Sequence, residues 1–304
     1  IRHDPLGVVL IIGAWNYPYL SAVDTIIPAL MSGNAVILKH AEQVALCAER
    51  LHAVAREINL PDGVFQYLHA PPEAVLNIVG DERVDFCTYT GSVEWGQHIQ
   101  QAAGMRFVGT TMLLSGNDPA YICADADLDM TIPAIVRGCF ANAGQSRCAV
   151  KRIYVDTSRY DEFLDGFAAV TRRLVLGNPF EPETTLGPVI DNRSAEYLRA
   201  QVTQAVNNGA SHLVETTHFP ADERDTPYLA PQVLVNVDHD MRVMREESFG
   251  PVVGIMRVES ENEAIALMND SDYGLTASVW TQDETAAIRI GAQVATGTFY
   301  MNAC

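Results

Sequence analysis

The sequence predicts an α/β fold, with parallel strands covered by helices. Short apolar, β-branched runs alternate with stretches of helical spacing along the chain. The 304 residues give room for roughly two domains. With 48% hydrophobic and 19% charged residues the chain can bury a core in each, which excludes disorder.

The elements follow in order. Val8–Ile12, between Gly7 and Gly13, has the continuous apolar character of a strand buried on both faces. Leu6–Val23 is 18 residues without a charge, the lower edge for a membrane helix. Asn16-Tyr17-Pro18 interrupts it, so it reads as a strand, a turn and a helix start. Ser21–Met31 has helical spacing, and Ser32-Gly33-Asn34 breaks it. Ala35–Leu38 is a second buried strand, Gln43–Ile58 a helix and Val64–Leu68 a third strand. Pro72–Val79 reads as helix, Val84–Thr88 as strand and Ser92–Ala103 as helix.

The second half repeats the style. Ala120–Cys123 and Arg152–Val155 read as strands, then Ser158–Leu176 and Asn192–Asn208 as helices. Val233–Val237 and Val252–Arg257 are strands, and Asn262–Met268 is a helix. Ser278–Trp280 is a strand, Glu284–Val294 a helix and Thr298–Met301 a last strand. No repeat, low-complexity tract or long linker occurs; the change of unit falls near Leu114–Pro119.

Composition narrows the partners. The 38 acidic and 20 basic residues leave a net charge of −18. Such a chain lacks the basic footprint that nucleic acid or an anionic membrane requires. A phosphate-bearing small molecule stays in play, because backbone N–H groups at a helix start bind anions locally. Cys47, Cys87, Cys123, Cys139, Cys148 and Cys304 form no C-x-x-C pair, which reads as free thiols in a reducing, cytoplasmic setting. The chain opens on Ile1-Arg2-His3-Asp4 without a signal-peptide pattern.

Six segments carry a family resemblance. Pro5-Leu6-Gly7-Val8-Val9 with Ala14-Trp15-Asn16-Tyr17-Pro18 resembles a strand followed by P-W-N-[FY]-P. Ile37–Glu42 resembles V-L-K-P-S-E, and Tyr89–Gly96 resembles F-T-G-S-T-E-V-G. Phe140–Gln145 resembles the start of F-x-N-x-G-Q-x-C. Glu246–Val252 resembles E-E-x-F-G-P-V, and Asn269–Trp280 resembles N-x-x-x-Y-G-L-x-A-S-V-x. In this order and spacing they resemble the aldehyde dehydrogenase superfamily over essentially the whole chain.

The resemblance implies a Rossmann-like, NAD-binding unit over residues 1–115 and a catalytic α/β unit over 116–304, incomplete at their outer ends relative to the family chain. The active site is expected between them, with the 140–148 loop facing Asn16. It also implies the family reaction, NAD(P)-dependent oxidation of an aldehyde to a carboxylic acid. A cysteine thiolate attacks the aldehyde, hydride leaves to the nicotinamide, and a carboxylate base activates water against the thioester. Asn16 corresponds to the oxyanion-hole donor. Trp15, Lys39 and Glu42 correspond to the cofactor edge, the last two at the adenosine ribose. A carboxylate there would repel a 2′-phosphate, so Glu42 favours NAD, with NADP as the alternative. Gly91-Ser92 opens a helix after a strand and suits a pyrophosphate, although no G-x-G-x-x-G occurs. Glu247 and Phe249 correspond to contacts of the nicotinamide ribose and ring. Asn142, Gly144 and Gln145 shape the loop. The family parent is expected to be a homo-oligomer.

Two positions depart from the pattern. The family follows its Gln with one residue and then the cysteine, which stands five residues before an Arg. Counting from Gln145 and Arg152, that position is Arg147. A guanidinium is a permanent cation with donors only and cannot attack a carbonyl. Cys148 lies one residue on and reads as a small buried thiol beside the site. The second departure is Leu113-Leu114-Ser115-Gly116-Asn117-Asp118-Pro119, counterpart of E-L-G-G-[KN]-x-P. Leu113 stands where the general-base glutamate belongs and cannot accept a proton. Two functions therefore compete: an impaired aldehyde dehydrogenase, or an inactive dinucleotide-binding pseudoenzyme with a structural or regulatory role.

Overall fold

The computed structural model describes residues 3–304. They form two compact units, which divide between Ser115 and Gly116.

In the first unit the strands are β1 (Val8–Gly13), β2 (Ala35–His40), β3 (Phe65–Tyr67), β4 (Phe86–Thr90) and β5 (Gly109–Leu113). The helices between them are α1 (Pro18–Met31), α2 (Ala45–Glu57), α3 (Pro72–Val79) and α4 (Val93–Gly104). The sheet order is β3-β2-β1-β4-β5, and every pairing is parallel. The apolar run of β1 explains its central place. Leu10 and Ile12 pack on one side with Val75, Val79, Ile99 and Ala103. Val9 and Ile11 pack on the other with Ala22, Ile26 and Ala48. A period of two sends successive side chains to opposite faces, so both must be apolar when helices cover both. The uncharged stretch from Leu6 divides into β1 and α1, and no helix among the described residues is long and apolar enough to cross a membrane.

The second unit holds β6 (Asp118–Ile122), α5 (Leu128–Phe140), β7 (Val150–Asp156), α6 (Tyr160–Thr171), α7 (Asn192–Asn207) and β8 (Ser211–His212). These are followed by β9 (Gln232–Val235), α8 (Arg242–Arg245), β10 (Val252–Val258), α9 (Glu261–Asn269), β11 (Thr276–Trp280), α10 (Glu284–Gly291) and β12 (Thr298–Met301). Its sheet order is β12-β11-β6-β7-β10-β9-β8, parallel throughout except for β8 against β9. Helix starts are capped: Asp127, Asp191, Ser260 and Asp283 each accept a bond from a first-turn amide.

The structure adds α5 and β5, which the sequence pattern did not announce, and shortens the helix expected over Ser158–Leu176 to α6. At α5 a proline within the helix disguises a regular pattern. Leu128, Thr131, Ile132, Ile135, Val136, Cys139 and Phe140 are all buried, and Pro133 sits inside the helix. These positions repeat at three and four residues, so one buried stripe runs the length of the helix, with Thr131 and Cys139 in it diluting the apolar signal.

Candidate functional site

In the first unit the candidate residues gather at the carboxyl ends of the strands. Trp15 and Asn16 lie between β1 and α1, and both are half-buried. Lys39 is the penultimate residue of β2. Glu42 is exposed and opens the short 3-10 turn Glu42–Val44. Gly91 and Ser92 follow β4, and Leu113 ends β5. This edge includes the place where strand order reverses, β1 to β2 on one side and β1 to β4 on the other. Open parallel sheets bind ligands in the crevice outside such a switch point.

Local chemistry at this edge suits an anion with a sugar beside it. Lys39 is only 7% exposed. Burial lowers its pKa, while Glu42 works to raise it. Ser92 caps α4, its hydroxyl accepting from the Trp95 amide at 3.4 Å. The Gly91 amide is occupied, donating to the Leu113 carbonyl at 3.1 Å. The N–H groups available to a phosphate are therefore those of the first turn of α4. His40, where the family motif has proline, is 2% exposed, and burial lowers its pKa.

In the second unit the candidates gather at the opposite ends of the strands, where β6, β7 and β10 begin. After Ala141 the loop from α5 to β7 runs through three left-handed residues: Asn142 (φ 53°), Ala143 (φ 55°) and Gly144 (φ 66°). Gln145 fastens the next stretch. Its amide donates to the Asn142 carbonyl at 3.0 Å, and its carbonyl oxygen accepts from the Ile190 amide at 2.7 Å. Ser146–Ala149 then closes a turn through the Ala149 amide and the Ser146 carbonyl at 3.2 Å. Arg147 and Cys148 are the middle residues of that turn.

This placement corrects the expectation of a buried Cys148. The thiol-bearing residue is exposed, because a turn apex projects outward while Ala149 and Val150 go inside to start β7. Partial desolvation raises the Cys148 pKa, Asp118 adds to the rise, and Arg147 opposes it. All six cysteines are free.

Glu247 and Phe249 lie in the loop that leads into β10, both half-buried. The Gly116 amide donates to Glu247 Oε1 at 3.1 Å. A Cβ on Gly116 would stand 2.3 Å from the Arg147 carbonyl oxygen. The segment before β6, the turn bearing Arg147 and the loop bearing Glu247 thus meet at one point.

Beneath them lies a charged layer that the sequence reading did not single out. Lys151 is 2% exposed, and its Nζ donates to the carbonyls of Gly144 at 2.9 Å and Gly250 at 2.5 Å. Arg152 is 1% exposed and donates to the Asn117 carbonyl at 2.9 Å and to Leu267 and Met268 carbonyls. Asp118 accepts from the Thr276 hydroxyl, and burial pushes its pKa up to about 7. Two adjacent cations in an otherwise apolar strand were the available signal, because a buried charge persists only where it is bonded. Among the described residues no cluster of metal-ligating side chains occurs.

The comparisons with known proteins agree with this architecture. The model of the aldehyde dehydrogenase family matches residues 1–304. An aldehyde dehydrogenase of Paenarthrobacter nicotinovorans is 38% identical over 302 residues, covering 99% of this chain and 65% of the relative. A succinate semialdehyde dehydrogenase [NAD(P)+] of Escherichia coli is 33% identical, again over 99% and 65%. The structure of a Streptococcus pyogenes succinic semialdehyde dehydrogenase with NADP+ superposes with a TM-score of 0.94 at 29% identity, over 99% of this chain and 65% of that one. A Bacillus halodurans NADP-dependent glyceraldehyde-3-phosphate dehydrogenase with NADP gives 0.92 at 37%, over 99% and 61%. The chain spans about 65% of the length of the curated relatives it matches.

Proposed function

Because this chain belongs to the aldehyde dehydrogenase family, we propose that it binds NAD(P) and has lost the family's aldehyde oxidation. The observation that carries this is an asymmetry between binding and chemistry. The cofactor edge keeps Lys39, Glu42 and Ser92 at the carboxyl ends of the first sheet, and Glu247 and Phe249 remain in the second unit. The nucleophile position is Arg147 and the base position is Leu113.

The residues present fit a dinucleotide. The first sheet reverses its order at β1 and β4, and a capped helix begins directly after β4. Lys39 and Glu42 would hold the adenosine ribose, and Ser92 with the first turn of α4 the pyrophosphate. Glu247 and Phe249 would meet the nicotinamide end. The exposed Glu42 carboxylate favours NAD, since it would face a 2′-phosphate with like charge. Bound nicotinamide would supply a hydride acceptor. Asn16 would supply an amide donor to a carbonyl oxygen. Arg147 has no lone pair for attack, and Leu113 holds no proton. An aldehyde would be polarised and left unreacted.

A second reading has one observation behind it. Cys148 is exposed and adjacent to the nucleophile position, so residual oxidation would run through its thiol. Its raised pKa works against this, because the thiolate is the nucleophile. The setting we infer is cytoplasmic and homo-oligomeric, with a small aldehyde as the ancestral ligand.

The deciding experiment mixes the protein with NAD and a panel of aldehydes, succinic semialdehyde included, and follows NADH absorbance. No turnover is expected, together with saturable NAD binding by titration calorimetry. Turnover that vanishes in Cys148→Ala would install the second reading. Absence of NAD binding would remove the first.

A further inference from the structure

The second unit contains a clamp at the start of β7. Lys151 is the second residue of β7, a strand otherwise buried from Val150 to Val155. Lysine is almost never fully buried unless it is paired. Here its partners are two backbone carbonyls from distant parts of the chain, Gly144 after α5 and Gly250 before β10. The two segments are in direct backbone contact as well. A Cβ on Gly144 would lie 2.2 Å from the Gly250 oxygen and 2.8 Å from the Cys139 oxygen, and its φ of +66° is one that only glycine adopts freely. Asn142 and Ala143 just before it are also left-handed, an arrangement that persists only where the surroundings enforce it.

We propose that Lys151 is a positioning residue, its ammonium pinning the turn that presents Arg147 and Cys148 to the turn that follows Glu247 and carries Phe249. The two loops then open and close as one body. Charge-assisted bonds to carbonyls are strong enough for this task, being about twice as strong as neutral ones. Burial lowers the Lys151 pKa to about 8, against which Cys139, Glu247 and Asp118 all pull, so the amine is charged at neutral pH.

Cys148 provides the readout without any need for catalysis. Iodoacetamide labelling followed by peptide mapping separates it from exposed Cys304 and from the buried Cys87, Cys123 and Cys139. In Lys151→Met the Cys148 labelling rate at neutral pH should rise on the order of tenfold, as the turn loosens into water. The pH midpoint of labelling should fall toward that of an ordinary thiol, while the buried cysteines stay unlabelled. General destabilisation would instead expose the buried thiols and leave that midpoint in place. An unchanged Cys148 profile in folded Lys151→Met would overturn the proposal. Should that variant fail to accumulate, hydrogen exchange of the unaltered protein serves. Peptides spanning residues 142–148 and 248–250 should open in one correlated step, and independent opening would overturn it.

Discussion

The Gly116 amide donates to Glu247 Oε1 at 3.1 Å, joining the segment before β6 to the loop before β10. The same glycine lies so close to the Arg147 carbonyl that an added Cβ would be only 2.3 Å away. That oxygen is backbone, so it cannot swing aside as a flexible side chain would. Gly116→Ala should cost about 1–3 kcal/mol, the usual range for overpacking. Urea denaturation of the variant would measure it. Because the Glu247 carboxylate would lose its donor as the segment shifts, NAD affinity should weaken alongside. An unchanged midpoint would show that the 2.3 Å approach relaxes freely.

Asp118 gives the protein a pH dependence of known sign. Burial is the largest cause of its raised pKa, about 7 against an ordinary 3.8, and the Thr276 bonds, Arg152 and Lys151 only partly oppose it. Between those two values the folded state holds a proton that the unfolded state has released. Stability from this group therefore falls as pH rises through that window. Asp118→Asn should remove the slope. Urea midpoints for both proteins, compared at about pH 5 and about pH 7.5, test it: the difference between them should shift in favour of the variant at the higher pH. A constant difference would assign Asp118 an ordinary carboxylate pKa.

Much of the fold was legible in β1 and β2, whose side chains alternate between two buried faces, and in the turn after β4. The motif segments placed Asn16, Lys39, Ser92, Glu247 and Phe249 at strand ends. What stayed hidden has physical reasons. β5 reads Gly-Thr-Thr-Met-Leu, a half-exposed edge strand without an apolar run. The strand reading at β7 began at Arg152 and left Lys151 outside, because a lysine suggests solvent. Its partners, Gly144 and Gly250, are joined only by the folded chain. Ala143 carries no sign of its left-handed backbone, which is a demand of the fold and not of alanine. Cys148 was expected inside because its neighbours are; the turn at Ser146–Ala149 put it outside.

Cofactor choice should turn on Glu42. It is exposed, so its replacement leaves the core untouched. Glu42→Gln should raise NADP affinity relative to NAD roughly tenfold, by removing one like-charge contact with a 2′-phosphate. Ser92→Ala should weaken both nucleotides by a similar factor of roughly five, since it removes a hydroxyl worth about 1 kcal/mol from either complex. Quenching of tryptophan fluorescence, with Trp15 and Trp95 in the first unit, would follow both titrations. A Glu42→Gln protein with an unaltered NAD to NADP ratio would place the ribose elsewhere.

If Arg147 and Leu113 occupy the nucleophile and base positions, they should fail at different steps, and reversion can separate them. Arg147→Cys returns a nucleophile but no base. Its thiolate would add to the aldehyde, and hydride transfer to NAD would give one equivalent of NADH and a thioester. Hydrolysis then needs water deprotonated by a group that Leu113 does not supply. Arg147→Cys alone should therefore show a burst of NADH close to one per active site, followed by slow turnover. Leu113→Glu alone should show neither phase, since nothing attacks the aldehyde. Together they should give a steady rate exceeding the post-burst rate by on the order of 10²-fold, the lower end of what a positioned base contributes. Stopped-flow absorbance of NADH distinguishes the three. A burst from Leu113→Glu alone would mean that Cys148 is already a working nucleophile, and steady turnover by Arg147→Cys alone would mean that another carboxylate serves as base.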